Sequence, residues 1–329
     1  MKPISQKLKI PLGDHPQKIH IRTNDERLPV LLFLHGGPGV VNRHSIMTDH
    51  IDLLDTFTIV AWDQRGSGGS YKGVEPETLT AKQLTDDAAQ LVDWLCERFE
   101  KDKIFIIGGS WGSELGTMLA HRYPAKIAAY VGFGQVVNGT KNEEISFEFS
   151  LNAAKAANDT ASVKLLESVG PPEKGIYKGG LDGLMKQRKV MMKYGGYSPG
   201  KKKRGMYAAF VKPMLLSGQY TIPDIIGVIK GYRLSLEKMW GEVAGVDLPK
   251  ECPSFEMPYF ILNGRHDNNT PASLVDEYFE TIEAEHKELV WFEKSGHNPM
   301  SDEPEAFKTT LRDRLTKVAD NNRSQGLRV

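Results

Sequence analysis

Short apolar runs alternate with stretches of helical periodicity at both ends of the chain, and this alternation constrains the fold more than any other feature. The runs are too short for helices and are typical of strands buried in a parallel sheet. They span residues 29–34, 58–62, 104–107, 127–131, 259–262 and 289–292. Between them, apolar residues recur every three or four positions, as in 84–99 and 274–282. The pattern predicts an α/β fold, with a mostly parallel central sheet flanked by amphipathic helices.

The middle of the chain breaks this rhythm. From residue 135 to 250 no strand-like run occurs, and helical segments alternate with glycine-rich and lysine-rich loops. We therefore predict a core formed by residues 1–134 and 251–329, and a helical insertion formed by residues 135–250.

The clearest helix predicted in the insertion follows Pro223, since proline is well placed at a helix start. Its predicted apolar face consists of Ile225, Ile229, Tyr232, Leu236 and Met239. Gly227 and Gly231 lie in the same helix four positions apart, and we expect another backbone to approach closely there.

Composition excludes several classes of function. Forty-two lysines and arginines balance forty-two aspartates and glutamates, which argues against a general role in binding nucleic acid or an acidic membrane surface. No window approaches the ~20 uninterrupted apolar residues of a membrane span, and no signal peptide is visible. Cys96 and Cys252 are too few for a disulfide framework or a zinc site. We expect a cytoplasmic protein without metal or cofactor, with a small-molecule or short-peptide substrate as partner.

A G-x-S-x-G motif follows the predicted strand at 104–107, where residues 108–112 read GGSWG and helical spacing begins. A serine on such a strand-to-helix turn exposes its hydroxyl at the carboxyl edge of the sheet, and the flanking glycines relieve steric clash. The N-terminus of the helix favours the negative charge that develops during acyl transfer. The context predicts that Ser110 is a nucleophile.

A serine nucleophile needs a base, and the base needs an orienting acid. In this type of fold they follow in the order serine, acid, histidine. Asp267 comes just after the predicted strand at 259–262, and His297 comes just after the strand at 289–292. We predict a catalytic triad of Ser110, Asp267 and His297.

Three other titratable residues lie near these positions. His266 is an alternative base, but it precedes the acid and would break the expected order. Asp302 and Glu303 are interpreted as solvated residues that lead into a helix beginning near Pro304.

The residues after the predicted strand at 29–34 read HGGPG. Three glycines around a proline leave backbone amides uncovered, so that they can donate to an oxyanion. The predicted donors are the amides of Gly37 and Trp111. Gly36 is the near alternative and a candidate substrate-binding residue. His35 is interpreted as a structural hydrogen-bonding residue.

Residues 35–39, the segment DQRGSGGS at 63–70 and the segment GGSWGS at 108–113 together resemble the α/β-hydrolase superfamily, specifically the proline iminopeptidases. The resemblance implies the α/β-hydrolase fold, a Ser–Asp–His triad that falls on the three residues above, and a helical cap over the site. It also implies release of N-terminal residues from small peptides through an acyl-enzyme.

Aminopeptidases of this group hold the substrate ammonium with glutamates of the cap, because a buried cation requires a paired carboxylate. The candidates are Glu143, Glu144, Glu148, Glu237 and Glu242, of which Glu148 and Glu237 are selected as substrate-binding residues. Solvated helix positions are the competing interpretation of these carboxylates. A run of eight basic residues without an acid, between positions 186 and 204, is interpreted as a solvated loop.

Two other functions remain open beside the aminopeptidase. A carboxylesterase or lactonase acting on small esters would use the same triad, and a non-catalytic receptor could use the same fold. Retention of all three triad residue types in the expected order favours catalysis. Hydrolysis through an aspartyl intermediate is disfavoured, because it needs a carboxylate where Ser110 stands. The sequence assigns no oligomeric state.

Overall fold

The centre of the molecule is a twisted sheet, seen in a computed structural model that describes residues 3–200 and 212–329. The strands are β1 (Ile4–Leu12), β2 (His15–Thr23), β3 (Val30–Leu34), β4 (Thr58–Asp63), β5 (Ile104–Gly109), β6 (Ile127–Phe133), β7 (Ser254–Phe255), β8 (Tyr259–Gly264), β9 (Glu283–Ala284) and β10 (Lys287–Phe292). Within the described residues, eight of them form one sheet in the order β1-β2-β4-β3-β5-β6-β8-β10, and β7 pairs with β9.

Six strands of the large sheet, from β4 to β10 in that order, run parallel. Each of the six predicted apolar runs lies in one of these strands, so the prediction of a mostly parallel sheet is confirmed. Five of the six are buried along their whole length, whereas β10 lies at the edge and is half-buried over residues 287–291. The α/β-hydrolase fold implied by the resemblance is the fold observed.

The antiparallel hairpin of β1 and β2 was not predicted. It joins the sheet through β2, which pairs antiparallel with β4. Its buried apolar residues, among them Ile10, Leu12, Ile19 and Ile21, alternate with polar ones. This period of two is the signal of a strand with one buried face, and it differs from the continuous runs of the parallel strands.

Helices cover both faces of the sheet and fill the middle of the chain. They are α1 (Arg43–Thr48), α2 (Ala81–Arg98), α3 (Trp111–Arg122), α4 (Gly139–Ala156), α5 (Thr160–Val169), α6 (Leu181–Lys193), α7 (Lys212–Leu216), α8 (Ile222–Gly245), α9 (Leu248–Glu251), α10 (Ala272–Thr281), α11 (Pro299–Asp302) and α12 (Pro304–Ser324). The predicted helices over 84–99 and 274–282 are α2 and α10. Helices α4 to α9 follow one another between β6 and β7. None of the helices in the described ranges is long and apolar enough to cross a membrane.

Helix α8 is the helix predicted after Pro223, but the prediction of its apolar face is wrong at Ile229, which is 67% exposed. Small residues line the face that packs on the core instead. A Cβ on Gly227 would lie 1.9 Å from the carbonyl oxygen of Gly68, and Gly231 makes a similar approach. The expected close contact between backbones is confirmed, and it lets α8 lie against the 63–70 segment.

Four charged side chains connect the start of α8 with the sheet. Lys18 Nζ lies 2.6 Å from Asp224 Oδ2, and Arg43 Nη2 lies 3.1 Å from the same oxygen. Arg43 also lies 3.4 Å from Asp63 Oδ2, and burial raises the pKa of Asp63 above its usual value. Because two cations balance two carboxylates, the cluster is neutral and joins α8 to β2, β4 and α1.

The basic run differs from the predicted solvated loop in its first half. Lys186, Arg188, Lys189 and Lys193 lie in α6, whereas Lys201, Lys202, Lys203 and Arg204 lie outside the described residues. The loop prediction is wrong for the residues in α6, because buried residues such as Leu184 and Val190 give that segment an apolar helical face.

Both cysteines are free and buried, as predicted. Burial raises the pKa of Cys96 to about 11 and that of Cys252 to about 12. A thiolate is the reactive form of cysteine, so both side chains are inert apolar fillers at neutral pH.

Candidate active site

The carboxyl ends of the parallel strands bring the predicted site residues to one edge of the sheet. Ser110 follows β5, the HGGPG loop follows β3, Asp267 follows β8 and His297 follows β10. In open α/β sheets this edge is where ligands bind. Residues separated by more than 150 positions in the chain therefore share one surface.

Ser110 occupies a strained turn between β5 and α3, with φ 56° and ψ −128°. A positive φ is uncommon for a residue with a side chain and costs of order 1–3 kcal/mol. The turn requires glycine on either side, since a Cβ on Gly108 would lie 2.0 Å from the carbonyl oxygen of Gly112, and one on Gly112 would lie 2.1 Å from that of Leu34. The strained conformation leaves the serine side chain half-buried at the N-terminus of α3.

His297 and Asp267 form a buried pair. Nδ1 of His297 lies 2.9 Å from Oδ2 of Asp267, and the two side chains are 4% and 0% exposed. Thr270 donates its hydroxyl to the same carboxylate oxygen at 2.7 Å. The other oxygen, Oδ1, accepts the backbone amides of Asn269 and Thr270 at 2.8 and 3.0 Å. Four donors thus fix the carboxylate, which holds the histidine ring in one orientation.

The second ring nitrogen of His297 contacts Asn269. Its Nε2 lies 3.2 Å from Asn269 Nδ2. Because Nδ1 faces a carboxylate, the neutral ring carries its proton there, and Nε2 is the acceptor. Within the described residues, no hydrogen bond joins His297 to the Ser110 hydroxyl. The structure therefore joins Asp267 and His297 directly and places Ser110 at the same sheet edge without that contact. Sequence reasoning missed Asn269, because no pattern marks an asparagine that touches a residue 28 positions away.

The HGGPG loop, which carries the predicted Gly37 donor, lies against the turn of Ser110, and Trp111 follows that serine directly in the chain. A Cβ on Gly36 would lie 3.1 Å from Cβ and 3.7 Å from Oγ of Ser110, so the HGGPG loop packs directly on the serine. In the described part of the chain, neither the Gly37 nor the Trp111 amide donates a hydrogen bond. Backbone N–H groups without a partner are available to donate to an oxyanion.

Gln64 connects the two loops that carry these amides. Its side-chain amide donates to the carbonyl oxygen of His35 at 2.9 Å, and its Oε1 accepts the indole N–H of Trp111 at the same distance. Its backbone amide donates to Nε2 of His35. Gln64 belongs to the 63–70 segment, in which no sequence pattern predicted a role for this residue.

His35 is a structural residue, in agreement with the interpretation of the sequence. Its ring is buried and bonded to the Gly36 carbonyl oxygen, the Gln64 amide and the Ser67 hydroxyl. Burial lowers the pKa of His35 to about 4, so the ring is neutral at physiological pH.

The alternative residues near His297 have other partners. His266 is exposed, and its ring lies 3.1 Å from the carbonyl oxygen of Glu293. Asp302 accepts the Gly296 amide, and Glu303 accepts the Ser295 hydroxyl. The interpretation of Asp302 and Glu303 as merely solvated residues is therefore wrong, because they brace the loop that carries His297.

The cap glutamates differ in burial. Glu144, Glu148, Glu237 and Glu242 are exposed, whereas the Glu143 side chain is 2% exposed. Glu237 pairs with Arg233 on the outer face of α8. A buried ammonium ion needs a carboxylate that is itself shielded from water. Glu148 and Glu237 do not offer one, and Glu143 does. Helical spacing could not separate these residues, since all of them lie on helices.

Known proteins resemble the chain at three levels. A family model described as alpha/beta hydrolase fold matches residues 29–165. The probable aminopeptidase YbaC of Bacillus subtilis (strain 168) is 29% identical over 301 residues, which cover 91% of this chain and 93% of that protein. A proline iminopeptidase of Neisseria gonorrhoeae is 34% identical over 108 residues, 33% of each chain. The crystal structure of a proline iminopeptidase from Mycobacterium smegmatis has a TM-score of 0.69 at 17% identity, covering 96% of this chain and 98% of that one.

The fold, the family match and the relatives agree. The mostly parallel sheet, the serine turn after β5 and the histidine–carboxylate pair after β10 and β8 occur together in one chain. The chain has the α/β-hydrolase fold, and its sequence and structure resemble hydrolases of that superfamily, the proline iminopeptidases among them.

Proposed function

We propose that the chain is a serine hydrolase that acts through an acyl-enzyme, with Ser110 as nucleophile, His297 as general base and Asp267 as the orienting acid. The buried His297–Asp267 pair carries the proposal, since it leaves Nε2 as the proton acceptor at the edge where Ser110 lies. Proton transfer from Ser110 requires Nε2 to exchange Asn269 for the serine hydroxyl. Such contacts are often absent without substrate and form in the complex.

The chemistry then proceeds in two steps. The Ser110 oxygen attacks the substrate carbonyl carbon as its proton passes to Nε2 of His297, and the amides of Gly37 and Trp111 stabilise the oxyanion. Nε2 returns the proton to the leaving group as the acyl-enzyme forms. Water, deprotonated by the same nitrogen, attacks the acyl carbon, and Nε2 returns that proton to the Ser110 oxygen as the acyl group leaves as a carboxylic acid.

Residues 135–250 are proposed to form the cap that selects the acyl group, over a core of residues 1–134 and 251–329. Similarity over nearly the whole length to a probable aminopeptidase supports release of N-terminal residues from short peptides. Glu143, which is buried and follows Asn142, whose side chain donates to the Asn269 carbonyl oxygen, is the proposed acceptor of the substrate's amino group in place of Glu148 and Glu237.

Hydrolysis of small esters is the second candidate, and one observation favours it. Glu143 is already paired with Arg188, so its charge is balanced before any substrate binds. A site without net negative charge also suits an acyl group that has no ammonium.

Two chromogenic substrates separate these candidates. Proline p-nitroanilide tests release of an N-terminal residue, and a p-nitrophenyl acyl ester tests the esterase. We expect both to be turned over by wild type and neither by Ser110→Ala. Turnover of the ester alone would remove the aminopeptidase assignment, and turnover by Ser110→Ala would remove the serine mechanism.

A further inference from the structure

An ion pair inside the proposed cap joins α4 to α6. Arg188 Nη2 lies 2.5 Å from Glu143 Oε1, and Arg188 Nη1 lies 2.5 Å from Gln187 Oε1. The guanidinium also lies over the Trp240 ring of α8, with Cζ 5.9 Å from its centroid. The pair thus contacts three cap helices. Its arginine is the more accessible member, 16% exposed against 2% for the glutamate.

The carboxylate of Glu143 is only half used. Its Oε1 receives two donors, Arg188 Nη2 and Asn142 Nδ2, the second at 3.0 Å. Its Oε2 is buried and has no hydrogen-bond partner in the described residues. A buried acceptor left without a donor costs about 1–3 kcal/mol. The open oxygen is therefore a place where a ligand N–H or O–H would be stabilised.

A chain of hydrogen bonds connects this carboxylate with the histidine of the proposed triad. Asn142 Nδ2, which donates to Glu143, also donates to the backbone carbonyl oxygen of Asn269 at 2.8 Å. The side chain of Asn269 contacts Nε2 of His297. Glu143 is thus joined to His297 through two asparagines, which places it on the side of the proposed site where Nε2 lies.

The charge of the pair determines which substituent is favoured. A buried carboxylate without a partner strongly attracts a cation, because an uncompensated buried charge is costly. A carboxylate that is already neutralised gains much less from a second cation, while its free oxygen still accepts a neutral hydrogen-bond donor.

We propose that Arg188 sets the charge selectivity of the acyl-binding site: by neutralising Glu143 it weakens discrimination in favour of a substrate ammonium, so that the open oxygen Oε2 also takes a neutral donor such as a hydroxyl. The proposal rests on the proposed serine hydrolase and concerns its substrate class.

Three acyl groups of nearly equal size test it. The benzyl esters of L-alanine, L-lactic acid and propionic acid differ only in the α-substituent, which is ammonium, hydroxyl or hydrogen at pH 6.5. In wild type we expect lactate to be preferred over propionate. In Arg188→Met, the ratio of kcat/KM for the alanine ester to that for the lactate ester should rise at least tenfold, mainly through KM. Arg188→Lys, which keeps the cation, should leave the ratio near wild type.

Variants of Glu143 supply the matched controls. In Glu143→Gln, the ratio of kcat/KM for the alanine ester to that for the lactate ester should show none of the rise expected in Arg188→Met. The double variant Glu143→Gln/Arg188→Met removes both charges and leaves no uncompensated buried carboxylate, so it should fold even if Arg188→Met is unstable. It should show no preference for ammonium over hydroxyl. A double variant that prefers ammonium as wild type does would overturn the proposal, as would an unchanged ratio in folded Arg188→Met.

Binding of uncleaved amides keeps this test separate from the proposed mechanism. The dissociation constants of L-alaninamide, L-lactamide and propionamide, measured by ligand-observed NMR on Ser110→Ala with and without the substitutions at Arg188 and Glu143, should change in the same order. If Ser110 is not the nucleophile, Ser110→Ala still turns over the esters, while these binding ratios still shift. If Arg188 does not set selectivity, turnover persists and the ratios stay constant.

Discussion

Nδ1 of His297 lies 2.9 Å from Oδ2 of Asp267, and both side chains are buried at the carboxyl edge of the sheet. The carboxylate also accepts the Thr270 hydroxyl and two backbone amides. Its position is therefore set by the loop after β8 and not by the histidine alone. In the proposed mechanism this pair determines which ring nitrogen carries the proton.

Asp267→Asn should lower kcat by roughly 10³–10⁴-fold, because an amide at this position no longer enforces the productive tautomer of His297. KM should change little, since Asp267 does not contact substrate in the proposed mechanism. Steady-state kinetics on an ester substrate measure both constants. Asp276→Asn, on the exposed side of α10, is the control and should behave as wild type. A loss of less than tenfold in Asp267→Asn would contradict the assigned role.

Glu114 should make stability fall as pH rises. Its side chain is fully buried, with neither carboxylate oxygen bonded in the described residues. Burial, followed by the charges of Glu251 and Glu242, raises its pKa well above the usual value. The native state therefore binds this proton more tightly than the unfolded state. The contribution of Glu114 to the free energy of unfolding is fully present below the unfolded pKa of 4.5. It is lost progressively as the pH rises toward the raised native pKa.

Glu114→Gln removes this proton and should flatten the slope. Relative to wild type, the free energy of unfolding of the variant should increase between pH 5 and pH 8. The increase should be about 1.4 kcal/mol for each pH unit that lies between the unfolded and the native pKa of Glu114. Urea denaturation at several pH values measures it. Glu144→Gln, exposed on α4, should show no such trend. A difference between Glu114→Gln and wild type that does not vary with pH would contradict the prediction.

Two glycines of α8 should respond to alanine in opposite directions. Gly227→Ala places a methyl group 1.9 Å from the Gly68 carbonyl oxygen and should destabilise the protein by about 1–3 kcal/mol. Gly241 has no atom within 4 Å of the corresponding position. Gly241→Ala should stabilise the protein by about 0.5–1 kcal/mol through helix propensity. Denaturant midpoints of the two variants test this, and equal destabilisation of both would refute the close backbone contact.

The neutral charge cluster at the start of α8 should be sensitive to loss of one member. Asp224→Asn leaves Lys18 and Arg43 with a single carboxylate, and removing one partner from a buried ion cluster costs up to about 3–5 kcal/mol. Glu237→Ala on the same helix removes an exposed pair with Arg233 and should change neither stability nor activity. Thermal unfolding compares the two. Equal stability of Asp224→Asn and wild type would show that the cluster does not hold α8 on the core.

Sequence patterns predicted the parallel half of the fold well, because buried parallel strands are continuous apolar runs that end at loops. The same reasoning placed Ser110, Asp267 and His297 at one edge, since each follows such a run. The hairpin of β1 and β2 was not predicted, because its apolar residues alternate with polar ones and do not form a continuous run. The packing face of α8 was predicted incorrectly, because it includes glycines, which carry no hydrophobic signal.

Contacts between distant elements could not be predicted from the sequence. Nothing near Glu143 indicates that an arginine 45 positions away neutralises it, and nothing near Asn269 indicates contact with His297. Gln64 likewise joins two loops only in three dimensions. Such pairings depend on the angles at which helices and loops meet, whereas a local pattern records only which face of an element is apolar.

Covalent labelling of Ser110 tests the central claim most directly. A fluorophosphonate probe reacts with a serine that a neighbouring base activates. Incubation of wild type should give one adduct, with the expected mass increase located on Ser110 by peptide mapping, and heat-denatured protein should give none. Ser110→Ala should remain unlabelled while retaining the wild-type fold by circular dichroism. Labelling of folded Ser110→Ala, or an adduct on another residue of wild type, would contradict the serine mechanism.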